Sequence, residues 1–186
     1  MAFGTRDPPS PAERPERRPP RAVTEAYLER AALHYLERFA SSAENLRRVL
    51  RRKVETRCRL RGEEAEPFLL LIDPVVARTV SSGLVDDRRY AEARVASFRR
   101  RGASTRGIKA KLAAKGVGRE VVESALEGED GDERAAALAL ARRRKIGPFR
   151  PGDRASFRQK DMAVLARAGF AFDVARGVID GEVDEA

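Results

Sequence analysis

Apolar residues recur at intervals of three and four positions along most of the chain, which is the spacing of one face of an α-helix. No stretch alternates convincingly with the period of two that is typical of a half-buried strand. The short apolar run 69–72 is expected to be helical, because no partner strand is visible. The pattern therefore predicts an all-α protein. The first predicted helix has an apolar face made of Leu28, Ala32, Leu33, Leu36 and Phe39.

Capping residues mark the ends of several predicted helices. A short polar side chain before an apolar run accepts hydrogen bonds from the first free amides of a helix, and glycine adopts the left-handed conformation that often ends one. The predicted N-caps are Thr24, Ser41 or Ser42, Asp73 (followed by proline) and Asp86, and the predicted terminal glycines are Gly83 and Gly102.

One template of capping residue and apolar positions occurs three times, and it predicts a unit of three short helices that recurs at intervals of about 50 residues. One such unit cannot bury its apolar face alone, so we expect the units to pack side by side in an elongated array. The copies are Ser42-x3-Leu46-x3-Leu50, Ser104-x3-Ile108-x3-Leu112 and, less completely, Met162-x2-Leu165-x3-Gly169-Phe170.

The predicted organisation begins with a proline- and arginine-rich segment that has too few apolar residues to form a core. We expect this segment to be a disordered arm. The predicted units are the arm 1–22, a first repeat 23–84 with an insertion at about 55–73, a second repeat 85–130, a third repeat 131–180, and an acidic tail 181–186.

Composition excludes several classes of protein. A single cysteine rules out a disulfide framework, and one cysteine with one histidine cannot supply the four ligands of the usual zinc site. No apolar run approaches the roughly 18 residues that span a bilayer. We therefore expect no enzyme, no cofactor, no bound metal and no membrane association, but a cytoplasmic protein. Cys58, between Arg57 and Arg59, would have a lowered pKa if it were exposed.

Charge is unevenly distributed along the chain. Lys plus Arg number 38 against 29 Asp plus Glu, giving a net charge of +9. The basic residues concentrate in three blocks, 44–61, 88–119 and 142–160, and acidic residues collect between and after them. Each block falls in one predicted repeat. The positive charge is therefore concentrated rather than uniformly spread, which favours a polyanionic or acidic partner.

Three motifs carry a resemblance to a known family. The chain resembles the RecX regulatory proteins of bacteria over roughly residues 24–180, most strongly in the second repeat. The motifs are Gly83-Leu84-Val85-Asp86-Asp87-Arg88-Arg89-Tyr90-Ala91, then Arg99-Arg100-Arg101-Gly102 with Gly107-Ile108-x3-Leu112-x2-Lys115-Gly116-Val117, and Arg158-Gln159-Lys160 with Leu165-Ala166-Arg167-Ala168-Gly169-Phe170.

The resemblance implies three tandem three-helix repeats and a regulatory role in DNA repair, DNA recombination and the SOS response. RecX proteins bind the RecA recombinase and lodge in the groove of the RecA–DNA filament. They modulate, usually by inhibition, its ATP hydrolysis, strand exchange and co-protease action. We accordingly expect RecA as the partner, contact with the DNA phosphate backbone as a further possibility, and a monomeric protein.

Candidate contacts with RecA or DNA are basic side chains in the three blocks and, for Arg167, shortly after the third block. Residues three and four apart share a helix face, so Lys111 and Lys115 are expected to project together. The alternative is that these rows are solvated helix faces. The candidates are Arg47, Arg48, Arg51, Arg52, Arg88, Arg89, Arg99, Arg100, Arg101, Lys109, Lys111, Lys115, Arg158, Lys160 and Arg167.

Aromatic residues show core spacing, which argues against a surface for stacking bases. The aromatic residues expected in the core are Tyr90, Phe98, Phe157, Phe170 and Phe172.

A second function is a helix-turn-helix-like protein that acts on DNA directly. A specific reader needs Arg, Asn or Gln at the start of a recognition helix. The third helices begin instead Gly118-Arg119-Glu120 and Ala171-Phe172-Asp173, which makes this the weaker prediction.

Overall fold

The computed structural model describes residues 20–127 and 133–181, and every regular element in these ranges is helical, which confirms the predicted all-α fold. Residues 1–19 of the predicted arm, the predicted limit at 130 and residues 182–186 of the tail lie outside these ranges. The helices are α1 (Glu25–Leu36), α2 (Ala43–Arg61), α3 (Glu66–Leu69), α4 (Ile72–Ser81), α5 (Asp87–Arg100), α6 (Thr105–Ala114), α7 (Arg119–Glu127), α8 (Glu133–Arg144), α9 (Arg158–Arg167) and α10 (Phe172–Ile179), with 3₁₀ turns at Gly147–Phe149 and Ala155–Phe157.

Local capping chemistry begins and ends most helices where the sequence predicts. The side chains of Thr24, Ser42 and Asp86 accept hydrogen bonds from the first amides of α1, α2 and α5. The expectation that Asp73 caps α4 is wrong, because α4 begins at Ile72 and its N-cap position is Leu71. Asp73 lies in the first turn, where a carboxylate suits the positive end of the helix dipole.

The buried apolar side chains form three separate clusters, each supplied mainly by three helices. We call these sets of helices the first group (α1, α2, α4), the second group (α5, α6, α7) and the third group (α8, α9, α10). The sequence limits of the repeats stay predictions. Val85, which was assigned to the second repeat, is buried in the cluster of the first group.

The predicted insertion is partly an extension of a helix. Residues 55–61 continue α2, which runs without a break from Ala43 to Arg61, as its lack of helix breakers indicates. The remainder forms a turn and the four-residue α3. Leu69 ends α3 and Ile72 begins α4, so this apolar run is helical as expected.

Several residues of the predicted apolar faces are exposed. Leu33 and Phe39 of the first predicted stripe are exposed, and so are Phe157 and Phe172 among the aromatic residues expected in the core. Tyr90 is buried as expected. Periodicity identifies the apolar side of a helix, but burial also needs a neighbouring helix to cover that side. Phe157 and Phe172 stand at helix starts, and Phe172 remains 68% exposed.

The junction between the first and second groups is made by a capping serine. Ser42 accepts a hydrogen bond from the amide of Asn45 and donates one to the carbonyl oxygen of Lys115, the residue that follows α6 (2.5 Å). The carboxylate of Asp87, at the start of α5, accepts a bond from the Ala43 amide at 2.8 Å. One serine thus caps its own helix and fastens the next group.

The junction between the second and third groups repeats this arrangement. Ser104 accepts from the amide of Gly107 and donates to the carbonyl oxygen of Ala168, the residue that follows α9 (2.7 Å). Glu133, at the start of α8, accepts from the amide and hydroxyl of Thr105, with distances of 3.1 and 2.7 Å. The two junctions therefore use equivalent atoms.

The start of α9 differs from the starts of α2 and α6. Its N-cap position is Phe157, whose side chain makes no capping hydrogen bond, and a 3₁₀ turn precedes it. The third group therefore lacks the serine that fastens a following group.

Candidate polyanion-binding groove

An open groove lies between the second and third groups. The C-terminal ends of α5, α8 and α9 and one side of α6 enclose a volume of about 710 Å³. Gly102, with a φ of +72°, permits this arrangement, because a Cβ atom there would lie 2.5 Å from the backbone nitrogen of Leu140 in α8. The apolar part of the lining consists of Phe98, Ala103, Ala110, Leu140, Val164 and Ala168.

Five basic side chains line this groove, and no acidic side chain joins them in the lining. All five are exposed. Within the part of the chain that the structure describes, none of them forms an ion pair. Two have weaker contacts: the Lys111 Nζ lies 4.8 Å from the centre of the Phe98 ring, and the Arg167 Nε donates to the carbonyl oxygen of Ala163. The five are Arg101, Lys111, Arg143, Arg144 and Arg167.

Helix dipoles account for only part of this positive charge. Three helix C-termini point toward the groove, and each carries roughly half a negative charge, for which arginine in the last turn is a common complement. Together they offset about 1.5 of the five positive charges. The groove therefore keeps a net positive charge and can accept phosphate or carboxylate groups.

The basic residues of α2 divide into engaged and free side chains. The Nε of Arg47 donates to Asp73 at 2.8 Å, and Arg48 contacts Glu44 and donates to the carbonyl oxygen of Ala114 at 2.8 Å. Arg51 and Arg52 are exposed and make no ion pair with any described residue. Among the candidates of this block, Arg51 and Arg52 can therefore bind a partner without first losing a contact with another described residue.

Several candidates of the second block are engaged with neighbouring side chains. Arg88 pairs with Glu92 at 3.0 Å, Arg89 with Asp86 at 3.6 Å, and Lys109 with Glu123 at 3.8 Å, all at exposed positions. Such pairs are weak and open readily. Arg100 is exposed and has no ion pair among the described residues.

Arg99 is a structural residue rather than a free contact. Its guanidinium lies 2.6 Å from Glu133 and 2.6 Å from the Thr105 hydroxyl, and its side chain is mostly buried. Partial burial alone would raise the pKa of Glu133, but hydrogen bonds from Thr105 and Arg99 outweigh it, so this pKa lies below its ordinary value. Arg99 thus helps to fasten α8 beside the groove.

Lys111 and Lys115, which their spacing predicts to project together, contact different groups. Lys115 follows α6 at its C-cap position, and its Nζ lies 3.4 Å from the Oδ1 of Asn45 in the first group. Lys111 lies over Phe98 in the groove between the second and third groups.

The three candidates in the third predicted repeat are one groove residue and two residues engaged elsewhere. Arg167 lines the groove. Arg158 makes a bidentate pair with Asp180, with two distances of 2.6 Å, and the Nζ of Lys160 lies 5.2 Å from the Phe157 ring centre.

Sequence reasoning missed Arg143 and Arg144 as site residues. They lie in the third basic block, and their position in the last turn of a helix was a signal that could have been used. It also missed Arg150, which is bound to the buried carboxylate of Asp161 through its Nε at 2.9 Å. The Gly147 amide donates to the same carboxylate at 2.8 Å, so this pair anchors the loop before α9.

Cys58 is not a reactive thiol. Its side chain is buried in the cluster of the first group. Burial, with Glu63 nearby, raises the pKa of the thiol rather than lowering it. In the described ranges no cluster of three or more His, Cys, Asp or Glu side chains is arranged to hold a metal ion, and none of the helices is long and apolar enough to cross a membrane.

Comparison with known proteins relates this chain to regulatory proteins named RecX. Residues 86–126 match the family model described as "RecX, second three-helix domain". A regulatory protein RecX of Myxococcus xanthus is 43% identical over 176 residues, covering 91% of this chain and 94% of the relative. One from Agrobacterium fabrum is 32% identical, covering 87% and 86%.

A solved structure shows the same fold. The crystal structure of a regulatory protein RecX superimposes with a TM-score of 0.58 at 18% identity, covering 84% of this chain and 72% of that one. The fold is therefore a known one, and the sequence relatives extend over nearly the whole chain. This chain is a member of the RecX family of regulatory proteins.

Proposed function

We propose that this protein binds the RecA recombinase, alone and as a filament on DNA, and modulates it in the inhibitory direction. The affected activities are ATP hydrolysis, strand exchange and co-protease action. The observation that carries the proposal is the groove between the second and third groups, where five cations that form no ion pair with any described residue face solvent. Membership of the RecX family supports it. This function would place the protein in the cytoplasm, as a monomer.

The proposed mechanism is contact without chemistry. A filament of RecA on DNA offers phosphates and acidic side chains at regular intervals, and a series of helical groups can touch several of them at once. Modest contacts on one molecule reinforce one another through effective concentration. A protein that bridges neighbouring protomers hinders the relative motion that ATP turnover and strand exchange require.

The test is the DNA-dependent ATPase of RecA, measured with this protein at well below one copy per protomer. We expect the wild-type protein to lower the rate. In the variant Arg143→Glu/Arg144→Glu, the concentration that gives half of the effect should rise at least about tenfold, equal to about 1.4 kcal/mol. Thermal unfolding of the variant checks that the fold is kept.

A matched control carries the same change of charge away from the groove. Arg30 and Arg59 are exposed and form no ion pair with any residue in the described ranges. The variant Arg30→Glu/Arg59→Glu should keep the wild-type effect. No change in ATPase with the wild-type protein would refute the proposal, and equal losses in both variants would assign the effect to net charge rather than to the groove.

Direct binding to free DNA is the second candidate, and the same groove favours it. Its cations would contact phosphates and leave base edges unread, so affinity should fall steeply with salt and depend little on sequence. Arg119 at the start of α7 pairs with Glu123 at 2.8 Å, and α10 starts with Phe172. Neither helix start therefore offers the polar side chains that a recognition helix uses to read bases. A salt titration with duplexes of different sequence separates this candidate from a sequence-specific reader.

A further inference from the structure

A second groove lies at the junction of the first and second groups, with a volume of about 530 Å³. The segment after α1, the turn after α4 and one face of α5 form its walls. Phe39 and Leu84 line it, and each is 55% exposed. It thus places two large apolar side chains in contact with solvent at one site.

The two grooves occupy equivalent places but differ in chemistry. Phe39, Ala40 and Ser41 line the second groove, and the residues 62 positions later, beginning with Arg101, line the first one. Where the basic groove has a guanidinium, the second groove has a phenyl ring. The repetition of the fold has therefore produced two sites that suit different ligands.

Local contacts position the segments that carry the exposed apolar side chains. The Phe39 ring lies 5.2 Å from the Tyr35 ring, centre to centre. Leu84 stands between Gly83, which has a φ of +71°, and Val85, which is buried and donates its amide to the carbonyl oxygen of Thr79 at 3.0 Å. A ligand that binds such a site loses little free energy to ordering the protein.

The rim of this groove is positively charged. Arg38, Arg89 and Arg94 line it, against a single acidic residue, Asp86. One carboxylate oxygen of Asp86 already accepts two amide hydrogen bonds at the start of α5, and the other lies 3.6 Å from Arg89. Arg38 makes no ion pair in the described part of the chain, and Arg94 lies over the Tyr90 ring. The groove has an excess of positive charge beside its apolar floor.

We propose that this groove binds an acidic peptide segment of a partner protein that carries apolar side chains. The apolar side chains would cover Phe39 and Leu84, and the carboxylates would face Arg38 and Arg94. Nucleic acid fits less well, because Leu84 has no ring on which a base could stack and phosphodiesters gain nothing from an apolar floor. This inference rests on the groove alone and stands apart from the proposed action on RecA.

The test uses the full chain and a fluorescent synthetic peptide of about fifteen residues, rich in Glu and Asp, with two leucines one helical turn apart. Fluorescence anisotropy should show saturable binding. We expect Phe39→Ser/Leu84→Ser to weaken binding at least tenfold, equal to about 1.4 kcal/mol. The variant Arg38→Gln/Arg94→Gln should weaken binding and also flatten its dependence on salt.

The matched control removes two exposed leucines elsewhere. Leu60 and Leu70 are 64% and 78% exposed and lie outside this groove, so Leu60→Ser/Leu70→Ser should bind the peptide like the wild-type protein. Absence of binding, equal loss in the control variant, or equal affinity for a peptide with both leucines changed to serine would overturn the proposal. If oligothymidylate displaces the peptide and this displacement depends on Phe39, the groove would be assigned to nucleic acid instead. The result of the RecA ATPase assay does not depend on any of these outcomes, so the two proposals can fail separately.

Discussion

At the scale of single residues, burial decides whether a basic side chain is structural or available to a partner. Arg99 and Arg150 are partly buried and held by carboxylates, so they fasten helices and loops. Arg143 and Arg144 are exposed and face the groove without an ion pair in the described ranges. Residue type alone does not separate these roles, because all four belong to basic stretches of the sequence.

Asp161 should be far more important for stability than a carboxylate paired at the surface. Its side chain is 2% exposed, whereas that of Asp180, paired with Arg158, is 41% exposed. Removing one partner of a buried pair typically costs about 3–5 kcal/mol, whereas removing one partner of an exposed, solvent-screened pair costs far less. We expect Asp161→Ala and Asp180→Ala to differ accordingly in the free energy of unfolding measured by urea at neutral pH. Similar losses would contradict this account of the loop before α9.

Glu133 should make the stability of the protein depend on pH. Its pKa in the folded state is lowered, so its contribution is complete above the ordinary value of about 4.3 and is lost as the pH falls through the folded-state value. At pH 7 we expect Glu133→Gln to lower the free energy of unfolding by about 1–3 kcal/mol. The difference from wild type should shrink in acid, because protonated Glu133 is also uncharged.

The control for this pH dependence is Glu127→Gln. Glu127 is exposed at the end of α7 and has no ion pair within the described ranges. Its variant should follow the wild-type protein at every pH. A constant difference between Glu133→Gln and wild type from pH 7 into acid would show that the charge of Glu133 contributes nothing.

At the scale of the helical elements, glycine sets the distance between groups. Gly102 lets the backbone of α8 approach the end of α5, which brings Arg143 and Arg144 to the same groove as Arg101. Gly62 has nearly the same left-handed backbone, with a φ of +68°, but open space beyond its Cα. A comparison of substitutions at the two glycines therefore separates the cost of backbone strain from the cost of close packing.

Gly102→Ala should therefore be more damaging than Gly62→Ala. Both variants place a Cβ in a left-handed conformation, which costs about 1–2 kcal/mol. Only Gly102→Ala also forces α8 away, with a further cost of about 1–3 kcal/mol. Urea unfolding measures both costs. The RecA ATPase assay should show a weakened effect for Gly102→Ala alone; equal behaviour of the two variants would indicate that α8 adjusts freely.

At the scale of the whole molecule, three separate apolar clusters are joined by polar contacts. Proteins built in this way have a stability close to the sum of their units and nearest-neighbour junctions. A local defect should accordingly stay local.

A cavity in the third group should loosen that group first. Leu165 is fully buried there, and Leu165→Ala typically removes about 2–5 kcal/mol. Hydrogen exchange should show lost amide protection in α8, α9 and α10, while the amides of α2 around Leu46 and Leu50 keep theirs. Equal loss of protection in all three groups would show that the molecule unfolds as one cooperative unit.

The sequence predicts those features that depend on neighbouring residues along the chain. Thr24, Ser42 and Asp86 cap helices because a cap needs only the next three amides. The hydrogen bond from Ser42 to Lys115 joins residues far apart in the chain, and no local pattern encodes it. The predicted burial of Phe39 is wrong for a similar reason, because periodicity does not show whether a neighbouring helix covers that face.

The candidate site was partly predictable. Arg101, Lys111 and Arg167 were among the candidates and meet in one groove. Arg143 and Arg144 join them only because α8 packs against Gly102, a contact between groups that charge counting does not reveal.

The uncapped start of α9 has a consequence for how the protein can act. The first two groups each fasten a successor through a serine, and the third has Phe157 at that position. Within the described ranges, the junction made by a capping serine therefore cannot be repeated beyond the third group. Under the proposed function, one molecule would present a fixed set of three groups to its partner, and a higher protein concentration would add separate molecules rather than extend one.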